Sequence, residues 1–476
     1  MIDLKIYELW FITGSQHLYG EETLRQVDEH SEEIVRYFNT NSAISLNVVF
    51  KPVVKSPEEI LKTIREVNAK INCVGIITWM HTFSPAKMWI NGLIELQKPL
   101  LHLHTQFNRD IPFADIDMDF MNLNQSAHGD REFAHLLTKM KIKRKTVVGH
   151  WQDDEVLESI NVWSRVAVAA AEMKTMKVAR FGDNMREVAV TDGDKVAAQM
   201  KFGFSVNTHP VGDLVEFINK IDQKEIDDLI AEYGSTYEMM PSLAKGGTNY
   251  SALEDSAKIE LGIKEFLEEG GFGAYTNTFE DLHGMKQLPG IASQRLMKAG
   301  YGYGGEGDWK TSAMVRILKV MATGMEGGNS FMEDYTYHFD PTNPMVLGSH
   351  MLEICPSLSS GQVACEIHPL GIGGKEDPVR LVFNGEAGPA MNVSLVDLGD
   401  RFRLIVNIVE GLEVTEKFPK LPTARVLWRP KPSMKEGLKQ WLEAGGAHHT
   451  VYSQNLTIEY MEDFARMFDV ELVVIK

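Results

Sequence analysis

Cysteine is scarce in this chain: Cys73, Cys355 and Cys365 are the only three among 476 residues, and none forms a Cys-x-x-Cys pair. That excludes a disulfide framework and a thiolate metal site, so the three read as reduced and buried. Long apolar runs are missing as well. No stretch approaches the roughly 18 uninterrupted apolar residues of a membrane span. The start, Met-Ile-Asp-Leu-Lys-Ile-Tyr-Glu-Leu-Trp, has no basic segment leading into an apolar core and a small-residue cleavage site, which sets the expectation of a soluble, cytoplasmic protein. Positive charge is the third shortage. Lys and Arg number 48 against 66 Asp and Glu, for a formal net charge of −18, a balance that repels phosphate backbones and anionic lipid and removes nucleic acid and membrane surfaces from the expected partners. The one dense basic run, Lys141-Ile-Lys-Arg-Lys145, reads as a solvated loop before a strand.

What is present is an ordinary globular composition in a chain too long for one core, so two to three domains of roughly 150 residues are expected. Trp10 to Gly14 reads as a buried strand, and Glu21 to Phe38 places Leu24, Val27, Ile34, Val35 and Phe38 on one helical face. Ile44, Leu46, Val48 and Phe50 alternate as in a strand. Ser56-Pro57-Glu58-Glu59 is a helix start, with Ser as cap and Pro at the first position. Val74 to Thr78 and Pro99 to His104 supply further strands. A second strand–helix series begins near Lys145 and continues through Val178 to Phe181 and Phe204 to His209. Past the helix from Thr311 to Thr323 the pattern turns to alternating strands, around Met391 to Leu395 and Arg401 to Ile408. The expected fold is therefore α/β: two doubly wound Rossmann-like parallel-sheet domains, 1–175 and 176–325, followed by a β-rich, antiparallel, barrel-like domain, 326–476, with flanking helices.

Gly302-Tyr-Gly-Gly-Glu-Gly307 formally matches the dinucleotide fingerprint Gly-x-Gly-x-x-Gly. It follows a helical stretch, Ala292 to Ala299, and would aim a glutamate at the phosphates, so no nucleotide cofactor is expected. The aromatic residues Tyr301, Tyr303 and Trp309 around Glu306 suit a pocket better than a solvated loop. Three further residues share this kind of setting: Glu333 in Phe-Met-Glu-Asp, His350 in Gly-Ser-His-Met and His449 in Gly-Gly-Ala-His-His-Thr. Two carboxylates and two imidazoles make a donor set for a divalent ion of the manganese, cobalt or zinc kind. Their spacing matches no local metal signature. His448 and His449, being adjacent, point to opposite faces of an extended segment, so one of them is expected to join a site.

At these residues the sequence resembles the L-arabinose isomerase family, and the likeness runs through essentially the whole chain. It is carried by Trp10-Phe-Ile-Thr-Gly-Ser-Gln-His-Leu-Tyr-Gly20, Asn124-Gln-Ser-Ala-His-Gly-Asp-Arg131, Tyr301-Gly-Tyr-Gly-Gly-Glu-Gly-Asp-Trp-Lys310, Gly348-Ser-His-Met-Leu-Glu353, His368-Pro-Leu-Gly-Ile-Gly-Gly-Lys-Glu-Asp-Pro378 and Gly445-Gly-Ala-His-His-Thr450. The resemblance implies Mn2+, with Co2+ or Mg2+ as substitutes, held by Glu306, Glu333, His350 and His449, and it selects His449 over His448. It implies sugar contacts from Gln16, Leu18, Tyr19, Gln125, His128, Met185, Phe279 and Ile372, the N-terminal ones supplied by a neighbouring subunit of a homohexamer built as two trimers. The implied activity is conversion of L-arabinose to L-ribulose, with D-galactose to D-tagatose as a side activity, through an enediol with Glu306 and Glu333 as catalytic acid and base. A non-catalytic sugar receptor and a metal-dependent hydrolase are the competing classes; the first predicts no turnover, the second cleavage of an amide or ester.

Overall fold

The first strand–helix units form because apolar strands alternate with amphipathic helices that close over them. In the computed structural model, which describes residues 2–476, five strands build one parallel sheet: β1 (Glu8–Gly14), β2 (Asn47–Val54), β3 (Cys73–Trp79), β4 (Leu100–His104) and β5 (Lys145–Val148), in the order β2-β1-β3-β4-β5. Every residue of β3 is buried, as expected of an inner strand covered on both faces. Helices Gly20–Thr40 and Pro57–Ala69 follow the expected segments, and Ser56 caps the second by accepting from the Glu59 amide at 3.2 Å. Two expectations shift. Ile44 and Leu46 lie in the turn before β2, buried but outside the strand. The strand at Lys145 belongs to the edge of this first sheet, paired with β4, and does not open a second one.

The chain divides into two compact units, one of Ile2–Ala171 with Glu459–Asp469, the other of Glu172–Ile458 with Val470–Lys476. In the first unit, the late helix Ile458–Phe468 is held through Lys145, whose ammonium reaches Glu459 at 2.6 Å and Asp463 at 2.7 Å. Lys145 is buried, which corrects its reading as part of a solvated loop: the neighbouring carboxylates remove the cost of burying the charge.

The second unit begins with a parallel sheet of β6 (Lys177–Phe181), β7 (Ser205–His209), β9 (Ala274–Asn277) and β10 (Gly302–Gly304), ordered β10-β9-β6-β7. The short β8 (Glu238–Met239) pairs instead with β13 (Ala364–Ile367), itself antiparallel to β14 (Val379–Val382). The rest is a ring. Strands β11 (Asn329–His338), β12 (Met345–Ser349), β15 (Gly388–Asp397), β16 (Phe402–Leu412), β17 (Arg425–Pro430) and β18 (His449–Ser453) pair antiparallel in the circuit β15-β18-β11-β12-β17-β16 and back to β15, with β19 (Glu471–Ile475) added parallel to β16. The expected class, parallel α/β sheets followed by a β-rich barrel, is the observed one. The ring closes because β15 and β16 pair over ten residues while β18 and β17 each hold the other edge of one of them.

Candidate metal centre

Register brings three of the four candidate ligands to one place. In β11, Glu333 stands opposite His449 of β18 on one side and opposite Ser349 of β12 on the other, and His350 follows Ser349 directly. A separation of more than a hundred residues along the chain thus becomes a neighbour relation across a ladder. Glu306 arrives from the loop after β10. Its backbone is left-handed, φ +61°, a strained setting for a residue with a side chain. The corner is held: Gly307 donates to the Asn277 carbonyl at 3.0 Å, and Met185 N–H donates to the Glu306 carbonyl at 3.0 Å. Gly307 itself, at φ +80°, passes so close to Asn184 that a Cβ would lie 2.5 Å from its Cα.

One donor atom each from Glu306, His350 and His449 lies within 4.8 Å of the others. Two ligands on opposite sides of an ion at about 2.1 Å each stand roughly 4.2 Å apart, so the spacing suits one shared cation. The Glu333 carboxylate is 3.9 Å from His350 Nε2, and Glu306 is 3.8 Å from His449 Nε2. His449 is fully buried, and its Nε2 has no hydrogen-bond partner among the described residues. A buried bare nitrogen aimed among carboxylates is what a ligand position looks like before its ion is counted. Phe331 stands edge-on to both rings, its centroid 5.0 Å from His350 and 4.9 Å from His449, and walls the cluster on one side.

Each imidazole has a carboxylate behind it. His449 Nδ1 is 3.1 Å from Asp308, which also accepts from the Thr311 amide at 3.0 Å and its hydroxyl at 2.7 Å. His350 Nδ1 bonds Glu353, whose other oxygen takes the Tyr303 hydroxyl at 3.3 Å. This arrangement fixes the ring so that Nε2 faces the cluster. Burial pushes the Asp308 carboxyl up, but Lys310 and His449 outweigh it and hold the group at about 2. Burial would lower His350, yet Glu353, Glu333 and Glu306 raise it to about 9. For Glu306, desolvation is overcome by His448, His449 and His350, so its carboxyl lies below the usual range. Asp308 and Glu353 are absent from the expected site, though each lies two or three residues after a candidate ligand, and that short spacing is the signal by which the sequence could have shown them. The expectation for His448 is corrected too. It precedes β18 rather than lying inside an extended run, so it also turns inward: its Nε2 is 3.8 Å from Glu306, and a donor atom each from Glu333, His448 and His449 fall within 4.8 Å of one another.

The other singled-out residues fall into two groups. In the second unit, Phe279 lines the same cleft as Glu306, His350, Glu353, Asn277 and Tyr303, and Met185 is tied to Glu306 through the backbone. Ile372 is 40% exposed, on a loop that passes Phe279: a Cβ on Gly373 would lie 3.4 Å from the Phe279 carbonyl. In the first unit, Gln16, Leu18 and Tyr19 follow β1, and Gln125 and His128 open the helix Ser126–Lys139. The order β2-β1-β3 makes the gap between β1 and β3 the point where the sheet changes winding direction, and ligands of open α/β sheets bind at the carboxyl ends of strands there. Gln16 donates to the Phe83 carbonyl at 3.1 Å, Tyr19 to Gln125 at 3.3 Å, and His128 packs 4.7 Å from the Phe83 ring. Leu18 is 82% exposed.

Three family profiles match in series: the L-arabinose isomerase N-terminal domain over residues 3–175, its central domain over 177–324 and its C-terminal domain over 328–471. The chain is 61% identical to an L-arabinose isomerase of Flavobacterium johnsoniae and 58% identical to one of Geobacillus stearothermophilus, each over 475 residues, 100% of this chain and 95% of the relative. It is 55% identical over 470 residues to one of Klebsiella pneumoniae, covering 98% of this chain and 94% of that protein.

Proposed function

The chain belongs to the L-arabinose isomerase family, and from that premise we infer that it converts L-arabinose to L-ribulose, with D-galactose to D-tagatose as a side activity. It is an enzyme of the intramolecular oxidoreductase class: C1 of the sugar is reduced and C2 oxidised within one molecule. The observation that carries the metal-dependent reading is the cluster of Glu306, His350 and His449 with its buried, unpartnered His449 Nε2.

Glu306, Glu333, His350 and His449 would hold the ion, Mn2+ in this reading, with Co2+ or Mg2+ as substitutes and no nucleotide. When bound, the ion supplies a Lewis acid against the charge that develops on O1 and O2. Glu306 takes the proton from C2 of the aldose to give an enediol, exchanges it in part with solvent, and delivers a proton to C1, while Glu333 passes a proton between O1 and O2. Each acid or base role contributes typically ~10²–10⁴-fold. Asp308 and Glu353 hold the rings, Tyr303 and Phe331 shape the wall, and Met185, Phe279 and Ile372 meet the sugar.

Gln16, Leu18, Tyr19, Gln125 and His128 act on a neighbouring subunit's sugar in a homohexamer of two trimers. Their position at the winding switch of the first sheet and the exposure of Leu18 support this. Domain limits near 175 and 325 accord with the separate β1–β5 sheet, the four-stranded sheet and the ring. A cytoplasmic location accords with three buried cysteines that are free thiols.

The test uses chelator-treated protein, reloaded with Mn2+, Co2+ or Mg2+ and given L-arabinose or D-galactose in tritiated water. Metal-restored L-ribulose carrying tritium at C1 is expected. Turnover that survives chelation removes the metal; tritium at C1 establishes proton transfer, and full turnover with none in ribulose or recovered sugar counts against an enediol whose proton reaches solvent, leaving a shielded proton or a hydride shift. Light scattering of the same preparation checks the hexamer.

A further inference from the structure

Two histidines of the first unit that have no part in the mechanism, His30 and His81, pair with each other. His81 is fully buried just past β3, stacked on Trp79 at 4.3 Å and 15°. Its Nε2 lies 2.7 Å from Nδ1 of His30, on the helix Gly20–Thr40. His30 in turn stacks on Phe107 at 3.6 Å and 8°, and Phe107 on Trp151 at 5.9 Å and 12°. Desolvation lowers both histidines, His30 to about 4 and His81 well below its ordinary value, so the pair is neutral near pH 7 and one ring must donate. His81 Nδ1 has no partner among the described residues. A buried N–H without an acceptor is rarer than a buried acceptor without a donor, so the unpartnered nitrogen is the bare one. His81 Nε2–H therefore donates, and His30 Nδ1 accepts.

The residues after His81 hold the loops of this edge together. The His81 carbonyl accepts from Gln125 N–H at 2.9 Å, and the Thr82 hydroxyl meets that of Ser15 at 2.7 Å. The Phe83 carbonyl accepts from Gln16 Nε2, and its ring packs on His128. One three-residue segment thus sets Gln16, Gln125 and His128 at once. His30 makes no hydrogen bond or ring stack with any of the three, and a phenyl group would stack on Phe107 equally well, so the stacking does not require a polar ring there.

We propose that His30 is a positioning residue: as hydrogen-bond acceptor for His81 it fixes the His81–Phe83 segment, and through it aligns Gln16, Gln125 and His128 on the sugar. This rests on the sugar contacts given under the proposed function.

The test compares His30→Phe, which keeps a flat ring against Phe107 and removes the acceptor, with His30→Asn, whose Oδ1 falls where Nδ1 was. A lost partner for a buried donor predicts a KM for L-arabinose raised about five- to fifty-fold in His30→Phe and a melting temperature a few degrees lower, with kcat and Mn2+ affinity near those of the parent. His30→Asn is expected to bring KM back to within about threefold of the parent, as a restored acceptor should. An unchanged KM in His30→Phe overturns the proposal, as does an equal rise in both variants, or a KM change that travels with lost Mn2+ affinity. Gln16→Ala is measured alongside. If it leaves KM unchanged, the sugar contact itself is wrong and the inference falls with it; if it raises KM while His30→Phe does not, the inference alone fails.

Discussion

Glu333, His350 and His449 sit on or at the ends of neighbouring barrel strands, buried or half-buried, and each imidazole is backed by a buried carboxylate. Gln16, Leu18, Tyr19, Gln125 and His128 sit instead on loops and a helix start at the edge of a parallel sheet, tied to backbone carbonyls and one another by hydrogen bonds as long as 3.3 Å. The first group is set by strand register, which admits no small adjustment, because a slip of one residue would turn every side chain to the other face. The second is set by loops, which tolerate change and adapt. In the proposed reading, the chemistry that needs fixed geometry, gripping an ion and moving protons, is given to this rigid set together with Glu306 on its held corner, and recognition of a flexible polyol to the adaptable one.

That contrast breaks most visibly at the rigid end. If the proposed roles hold, Glu306→Gln and Glu333→Gln each lower kcat by about 10³-fold or more, since a base or acid and a ligand charge vanish together, while the oligomeric state measured by light scattering is unchanged. Retained activity in a variant removes that residue from its role. Lys145→Met tests rigidity of another kind. It would leave Asp463, 1% exposed, with Arg466 as its remaining cationic partner, so the cost is expected below the about 3–5 kcal/mol of a buried charge left wholly unpaired. A melting temperature within a degree or two of the parent would show that the helix Ile458–Phe468 is held by packing alone.

Lys145 also marks how far the sequence is legible. A Lys-Ile-Lys-Arg-Lys run before a strand carries no sign that its last lysine folds against acids more than 300 residues later, because burial of a charge depends on partners that only tertiary structure supplies. Strands and helices are legible through periodicity and through caps such as Ser56, and the change from parallel to antiparallel sheet shows in the alternation after residue 326. The edge strand at Lys145 joins the first sheet and not the second series expected to begin there, since an isolated four-residue run does not say which sheet it pairs with. The candidate metal cluster is beyond local reading: Glu333, His350 and His449 come together through the pairings of Glu333 with His449 and with Ser349, and long-range register leaves no local spacing. Resemblance named those four. Asp308 and Glu353 are legible in principle, as carboxylates within one turn of a candidate ligand.

Those two carboxylates give the next measurements. Asp308→Asn or Glu353→Gln keeps shape and removes charge, and a weakened outer partner typically costs 10–100-fold in metal affinity. Titration with Mn2+ at fixed pH checks this, and undiminished affinity would reduce both to structural fillers. The same titration across pH tests the electrostatics. His350, raised to about 9 by its acidic neighbours, carries at pH 7 a proton that an ion must displace. Affinity is therefore expected to climb with pH, by up to about tenfold per unit, and to level near pH 9, with a proton released on binding below that point. A flat profile from pH 6 to 9 would mean that His350 binds no proton in the free site.

The smallest effect belongs to the loop-borne group. Tyr19 reaches Gln125 through a hydroxyl at 3.3 Å, near the limit of a hydrogen bond, in a partly solvated setting. Tyr19→Phe removes that oxygen and nothing else, so the loss is bounded by the net value of one neutral hydrogen bond, about 0.5–1.5 kcal/mol, or a rise in KM of roughly two- to twelvefold. Mn2+ affinity and melting temperature should not move, because the ring stays and the candidate ligands Glu306, Glu333, His350 and His449 belong to other elements. If Tyr19→Phe instead weakens Mn2+ binding as much as Glu353→Gln does, the two groups are not independent. Sugar recognition would then work by ordering the metal cluster itself, and the division between a fixed catalytic set and an adaptable recognition set would give way to a single cooperative site.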